Sequence, residues 1–275
     1  MTDRGLKTVN RLCGRDDAQG LVGADYVANT LGAKSVYVLH DKTAYGEGVA
    51  TSFRDAAAAA GLEVLGFDGT EEKNDFTTII TPIIAQNPDL IYFGGIYDQA
   101  ALFFKQTREA GYTGTFMGPD GMDSSDTAKI GGEAVVGMVY TTTAGPASVY
   151  PDAAQFVTDY KARFSINPEP YAVESYSAVQ VIVAAIDSIT TAGGDLPTRE
   201  AVAAAVRATS GLSTLIGPIT FDANGDPDYA AYYVLKVASA DPAAWSDPGN
   251  ELAARVEIAS PLTAAMATPE ATPSQ

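Results

Sequence analysis

Val36-Tyr-Val-Leu-His40, followed by Asp41-Lys-Thr-Ala-Tyr45-Gly-Glu-Gly48, reads as a buried strand, a polar loop and the start of a helix. The layout recurs at Ile91-Tyr-Phe-Gly-Gly95 and at Thr115-Phe-Met-Gly-Pro-Asp120. Each time a short apolar run ends in a loop carrying an aromatic or acidic side chain. Ligands of open parallel sheets bind beyond the carboxyl ends of the strands. Three such loops in succession read as one half of a small-molecule cleft.

Around this core, strands are predicted at Ser35 to His40, Glu63 to Phe67, Asp89 to Phe93, Thr115 to Gly118 and Val135 to Thr141. They are continuously apolar, as expected when both faces of a sheet are covered. Helical patterns lie between them, at Gly20 to Leu31, Gly48 to Ala60, Phe76 to Gln86 and Gln99 to Ala110. Gly32, Gly61 and Gly111 stand where a left-handed C-cap is wanted, and Asp75 is placed to cap the helix from Phe76. Pro82 predicts a kink or a short helix. Repeated strand–helix units imply an α/β fold with right-handed crossovers and a parallel sheet. The rhythm then breaks. Helices are expected at Pro151 to Phe164, Tyr171 to Thr190 and Thr198 to Thr209. Gly217 to Asp222 and Tyr229 to Val237 flank Asn224-Gly225, a hairpin signal. After Ser239 the chain turns rich in Ala, Pro, Thr and Ser, and residues 262–275 read as disordered.

The 275 residues carry a formal net charge of −17. Such an acidic surface repels phosphate backbones and anionic lipid, so no nucleic-acid partner is expected. With one cysteine, Cys13, no internal disulfide can form, and Cys13 reads as a small buried hydrophobe. His40 is the only histidine, so a zinc site built from His and Cys is set aside and no metal or cofactor is expected. No apolar run approaches the ~20 residues that span a bilayer. The N-terminus has no apolar signal core.

Seven motifs, in order over residues 1 to about 237, are similar to the type I periplasmic binding proteins, specifically the leucine/isoleucine/valine-binding family of ABC-transporter receptors. They are Gly14-Arg-Asp-Asp-Ala-Gln-Gly20, His40-Asp-Lys-Thr-Ala-Tyr-Gly-Glu-Gly48, Phe67-Asp-Gly69, Asp75-Phe76, Phe93-Gly-Gly95, Met117-Gly-Pro-Asp-Gly121 and Gly217-Pro-Ile-Thr-Phe-Asp222. The resemblance implies two Rossmann-like lobes with parallel sheets, joined by hinge crossovers, with ligand held between them. Residues 1–13 and 141–212 would belong to an incomplete lobe one. Residues 14–140 and 213–238 would form lobe two, and 239–275 a C-terminal extension. The first half of lobe one, which in the family supplies hydroxyls and backbone N–H groups to the ligand carboxylate, has no counterpart here. A fragment that by itself binds weakly or not at all is therefore expected. The resemblance further implies a monomeric, non-enzymatic receptor in the periplasm or on the cell surface as a lipoprotein, delivering an amino acid to a membrane permease.

An amino-acid site needs a carboxylate for the ammonium, donors for the carboxylate and an apolar or aromatic wall for the side chain. By family position Asp120 resembles the residue that pairs with the ammonium. Tyr45 resembles a loop tyrosine that covers the ligand. The family often has an aromatic directly after Gly94-Gly95; here Ile96 holds that position and Tyr97 follows. Pro119-Asp120-Gly121 is also a turn sequence, and Asp98 also suits an N-cap. Asp41 and His40 read as shaping their loop. Asp16, Asp17 and Gln19 read as capping a helix from Gly20.

Two rival readings are weighed. A dinucleotide enzyme would use Gly46-Glu-Gly48 with Asp68 about 20 residues on, but Thr51 stands at the third glycine position and five residues separate the strand from the first glycine. A sensor for amides or urea would keep the fold and change the ligand.

Overall fold

The structure, a computed structural model, describes residues 2–190, 196–245 and 249–259. The described residues form two compact units. The larger comprises 15–143 and 232–256; the smaller comprises 2–14, 144–231 and 257–259. The sequence reading set the changes of lobe at 14, 141 and 213, whereas among the described residues the chain changes unit at 15, 144, 232 and 257. The difference follows the sheet pairing. The strand begun at Val139 runs to Thr142, and its partner residues are 233–236.

The larger unit is built on a seven-stranded sheet. Its strands are β1 (Ser35–His40), β2 (Glu63–Gly69), β3 (Leu90–Gly94), β4 (Thr115–Gly118), β5 (Val139–Thr142), β8 (Tyr229–Lys236) and β9 (Glu251–Ala259), in the order β2-β1-β3-β4-β5-β8-β9. Pairing from β2 to β5 is parallel, and β5 pairs antiparallel with β8. Val36 to Leu39 and Leu90 to Phe93 are buried throughout, as continuous apolar runs require. The flanking helices are α1 (Asp16–Asp25), α2 (Ala44–Ala59), α3 (Thr77–Ala85), α4 (Tyr97–Glu109) and α5 (Ser125–Gly131).

Phe76, Phe93, Phe103, Phe104 and Phe116 fill the core on the α3–α4 face, with Phe104 and Phe116 stacked at 4.3 Å. On the other face Phe53 stacks on Tyr92 at 4.0 Å. Gly20 lets α1 pack closely on α2, since a Cβ there would lie 2.4 Å from the Phe53 backbone nitrogen. Gly61 and Gly111 end α2 and α4 at φ of +84° and +95°, as their positions predict.

Three helices begin earlier than the periodicity suggests. α1 starts at Asp16 rather than Gly20, and α4 at Tyr97 rather than Gln99. α2 starts at Ala44 because Thr43 Oγ1 accepts from Gly46 N at 2.9 Å. Tyr45 therefore stands in the first turn of a helix and not in a loop. Asp75 accepts from Thr77 N and Thr77 Oγ1, but α3 starts at Thr77 and its N-cap position is Phe76, so Asp75 stands one residue ahead of the cap it was expected to form. α3 retains Pro82 and stops after nine residues. β5 starts at Val139, not Val135, because residues 132–135 form a 3-10 turn.

The expected hairpin of Gly217 to Asp222 with Tyr229 to Val237 is corrected. Asp222 Oδ1 accepts from the nitrogens of Asn224, Gly225 and Asp226, so the turn is present. Only the isolated bridge Phe221 to Pro227 joins its two arms. β7 (Gly217–Ile219) pairs instead with β6 (Leu212–Thr214), and β8 joins the large sheet. The C-terminal stretch is also part of the fold as far as Ala259. Trp245 is buried, stacks on Tyr140 at 5.8 Å and donates from Nε1 to Asp123 Oδ1 at 2.9 Å, and β9 adds an edge strand. Residues 262–275, expected to be disordered, lie outside the described residues.

The smaller unit holds α6 (Ala154–Phe164), α7 (Ala172–Thr190), α8 (Arg199–Arg207) and the β6–β7 pair. Arg207 ties the N-terminal segment to it, donating to Asn10 Oδ1 and to the Val9 and Leu6 carbonyls. Arg11 pairs with the buried Asp226 at 2.8 Å. Cys13 is partly exposed, which corrects its reading as a buried hydrophobe. Among the described residues α7 alone is long and apolar enough to cross a membrane, contrary to the expectation that no apolar run approaches that length. It carries Glu174 and Asp187 and buries Val173, Ser177, Val181 and Ala185 along one stripe, the pattern of a helix on a protein core.

Candidate ligand-binding site

The loops after β1, β3 and β4 meet at the carboxyl edge of the sheet, and glycine makes the meeting possible. A Cβ on Gly46 would lie 2.5 Å from the Gly94 carbonyl oxygen, and one on Gly121 would lie 2.3 Å from the Gly95 carbonyl oxygen. Gly46 is thus spent on backbone packing, which removes the phosphate-cradle reading of Gly46-Glu-Gly48. A Cβ on Gly48 would meet nothing within 4 Å.

On this frame Tyr45 and Asp120 come together. Tyr45 Oη donates to Asp120 Oδ1 at 2.5 Å and accepts from Gly121 N at 3.0 Å. Burial raises the Tyr45 phenol well above its ordinary value, and the Asp120 charge raises it further, so it stays protonated and acts as a donor. Asp120 is also held from below. Gln19, fully buried on α1, accepts from Asp120 N at 3.1 Å and from Thr141 Oγ1 at 3.1 Å, and its amide donates to Asp16 Oδ1 at 3.2 Å.

Gln19 was read as a helix cap, and this is corrected: the helix starts three residues before it, and its side chain links β5 to the loop after β4. Asp16 and Asp17 are the first two residues of α1, and Asp17 pairs with Arg15 at 2.9 Å. Asp41 shapes its loop as expected, accepting from Thr43 N at 2.9 Å and from Thr43 Oγ1 at 2.6 Å. His40 Nδ1 accepts from Lys42 N at 3.2 Å in the same turn.

Ile96 is 44% exposed and occupies the N-cap position of α4, beside Gly121. Asp98 is therefore inside α4 and not its cap. Tyr97 is half-buried in the first turn of α4. The structure thus joins Tyr45 to Asp120 and sets Ile96 beside them, and among the described residues no hydrogen bond joins Tyr97 to that group. Sequence reasoning missed Tyr92, whose hydroxyl is buried without a hydrogen-bond partner. A tyrosine inside an otherwise apolar run, one residue before Phe93-Gly94-Gly95, was the available signal. Among the described residues no group of His, Cys, Asp and Glu could hold a metal ion.

A family profile described as periplasmic binding protein matches residues 9–242. An "Amino acid binding protein" of Pseudomonas aeruginosa is 34% identical over 253 residues, covering 91% of this chain and 63% of its own length. "Leu/Ile/Val-binding protein BraC3" of Rhizobium johnstonii is 34% identical over 86% of this chain and 63% of its own. The crystal structure of a leucine binding protein, LivK, of Thermotoga maritima matches with a TM-score of 0.79 and 30% identity, over 92% of this chain and 69% of that one. This chain thus spans about 63% of the length of the curated relatives it matches. The matched residues include every loop of the site and both strands of β5–β8, and on them the chain belongs to the periplasmic binding protein family.

Proposed function

We propose that the chain is part of a non-enzymatic, solute-binding receptor of an ABC importer, working outside the cytoplasmic membrane, and that its ligand is a branched-chain or related amino acid. The observation that carries the reading is the Tyr45–Asp120 pair at the carboxyl edge of the sheet. A carboxylate held there by a phenol is suited to an α-ammonium group, because a charge taken out of water needs an opposite charge and full hydrogen bonding. Tyr45 orients Asp120, Asp120 pairs with the ammonium, and the exposed Ile96 with Tyr97 offers an apolar wall to an aliphatic side chain. By the resemblance drawn from the sequence, the ligand carboxylate falls to the other lobe. The names of the relatives, which are amino-acid and Leu/Ile/Val binders, support the ligand class. A permease that receives the ligand belongs to the same proposal.

Protein-detected NMR titration with leucine, isoleucine, valine and urea, carried to millimolar concentrations, tests it. The three amino acids should perturb the Tyr45, Ile96 and Asp120 amides, and urea should not, since it carries no ammonium. Asp120→Ala should abolish the response, at a cost of about 2–5 kcal/mol for one partner of a desolvated charge pair. Urea binding as well as leucine would favour the amide sensor. An unchanged response in Asp120→Ala would refute the ammonium role.

A further inference from the structure

The turn after β7 holds Asn224-Gly225, the only Asn-Gly pair in the sequence. Asn224 is exposed, and Gly225 is buried at a φ of +90°. Such a pair carries its own chemistry. The glycine nitrogen, unhindered by a side chain, can attack the asparagine Cγ and close a five-membered ring. The nitrogen must first give up its proton and swing toward Cγ. Asp222 opposes both. Its Oδ1 accepts from Asn224 N at 2.8 Å, from Gly225 N at 2.9 Å and from Asp226 N at 3.0 Å. Its carbonyl oxygen also accepts from Gly225 N, at 3.1 Å. A carboxylate beside the Gly225 N–H disfavours the amide anion, because like charges repel. The two bonds fix the nitrogen in the turn.

The ring-opened product does not fit the same place. Gly225 is packed on the N-terminal segment, where a Cβ would lie 2.5 Å from the Val9 carbonyl oxygen and 2.7 Å from Asn10 Oδ1. Its carbonyl accepts from Arg11 N at 2.9 Å, and the Ala223 carbonyl accepts from Arg207 Nη1 at 2.7 Å. Isoaspartate puts one more carbon in the main chain between residues 224 and 225, where there is no room for a methyl group.

We propose that Asn224 is a covalent modification site guarded by Asp222, and that its conversion frees the N-terminal segment from Gly225. When the turn opens locally, the Gly225 nitrogen loses its proton and bonds to Asn224 Cγ. The Cγ–Nδ2 bond breaks, and ammonia leaves with that proton. Water then opens the succinimide at one carbonyl to aspartate or at the other to isoaspartate. Nothing is oxidised or reduced, and each conversion adds one negative charge.

The test incubates wild type, Asp222→Ala, Asp222→Asn and Asn224→Gln in mildly alkaline buffer and maps isoaspartate in the peptide that carries residues 224 and 225. Asp222→Ala should accumulate it about tenfold faster than wild type, as for one lost hydrogen bond to a charged acceptor. Asp222→Asn keeps the acceptor oxygen without the charge and should fall between them. Asn224→Gln should yield none at this position. Wild type unfolded in urea should convert as fast as Asp222→Ala. Folded wild type converting as fast as the urea-unfolded chain overturns the guard. So does Asp222→Ala converting no faster than wild type. If Asp222→Ala fails to fold, Asp222→Asn decides, and a rate equal to that of wild type overturns the guard. Isoaspartate-bearing wild type, separated by its added charge, should exchange the Arg11 amide faster than unmodified protein, with the β1 amides unchanged. An Arg11 amide that exchanges as before overturns the release of the N-terminal segment.

Discussion

Tyr45 and Asp120 are 75 positions apart in sequence, and the Tyr45 hydroxyl donates to Asp120 Oδ1 at 2.5 Å. The same oxygen of Tyr45 accepts from Gly121 N, so one side chain in the first turn of α2 fixes both the carboxylate and the backbone of the loop after β4. A donor to a charged acceptor contributes about 1.5–3 kcal/mol. Tyr45→Phe should therefore lower stability by about that much in urea titrations. In an Asp120→Asn background the loss should be smaller, because the charged acceptor has gone. If the two losses add to within about 0.5 kcal/mol, the pair is not coupled and Tyr45 does not hold Asp120.

The glycines of the site differ in what they do, and alanine separates them. Gly121→Ala drives a Cβ to 2.3 Å from the Gly95 carbonyl oxygen, a backbone atom that cannot swing aside. Overpacking of this kind costs about 1–3 kcal/mol, and here it also shifts the loop carrying Asp120. Gly48→Ala meets nothing within 4 Å and lies inside α2, so it should stabilise by about 0.5–1 kcal/mol. Denaturation midpoints of the two variants should move in opposite directions. A destabilised Gly48→Ala would mean that this glycine has a role the packing does not explain.

The strands were legible because the sheet is covered on both faces. Continuous apolar runs such as Val36 to Leu39 and Leu90 to Phe93 have no competing reading as amphipathic helix, and β1 and β4 fall where predicted. Helix starts were read late because Thr43, Ala44 and Tyr45 look like loop residues until the Thr43 cap is seen closing on Gly46. Asp120 and Tyr45 could each be singled out by position, but nothing in their spacing encodes that they bond each other. Gln19 shows the limit most clearly. A glutamine just ahead of an expected helix start at Gly20 looks like a cap, and only the placement of α1 over β5 brings it to Thr141 and Asp120 N. In the C-terminal stretch an Ala- and Pro-rich composition outweighed the single tryptophan, although a buried Trp is enough to anchor a segment.

Trp245 is that anchor. It is 4% exposed, stacks on Tyr140 and donates to Asp123 Oδ1, which also accepts from the Tyr140 hydroxyl at 2.9 Å. Trp245→Ala should cost about 3–5 kcal/mol, the range for large-to-small core replacements. Amide exchange should speed up along β8 and β9 before it does in β1 and β3, because the lost contact lies at that side of the sheet. A loss under about 1 kcal/mol, the level of an ordinary surface substitution, would show that residues 239–259 are an appendage to the fold.

Glu174, in the first turn of α7, is 6% exposed. Tyr150 Oη donates to its Oε1 at 2.8 Å, while Oε2 is buried without a hydrogen-bond partner. Burial raises its carboxyl above the ordinary 4.5, and the Tyr150 bond offsets only part of that. The folded state therefore holds the proton more tightly than the unfolded state. Its contribution to stability is fully present below pH 4.5, declines as pH rises through the raised folded value, and is gone above it. Glu174→Gln keeps the shape of the protonated acid and cannot ionise. Urea unfolding from pH 4 to pH 8 should show the two proteins equal at the acid end and the glutamine variant increasingly more stable through the window, by about 1.4 kcal/mol for each pH unit the window spans. A difference that does not change with pH would mean that Glu174 is already ionised in the folded protein, with Oε2 paired to a cation or water in solution.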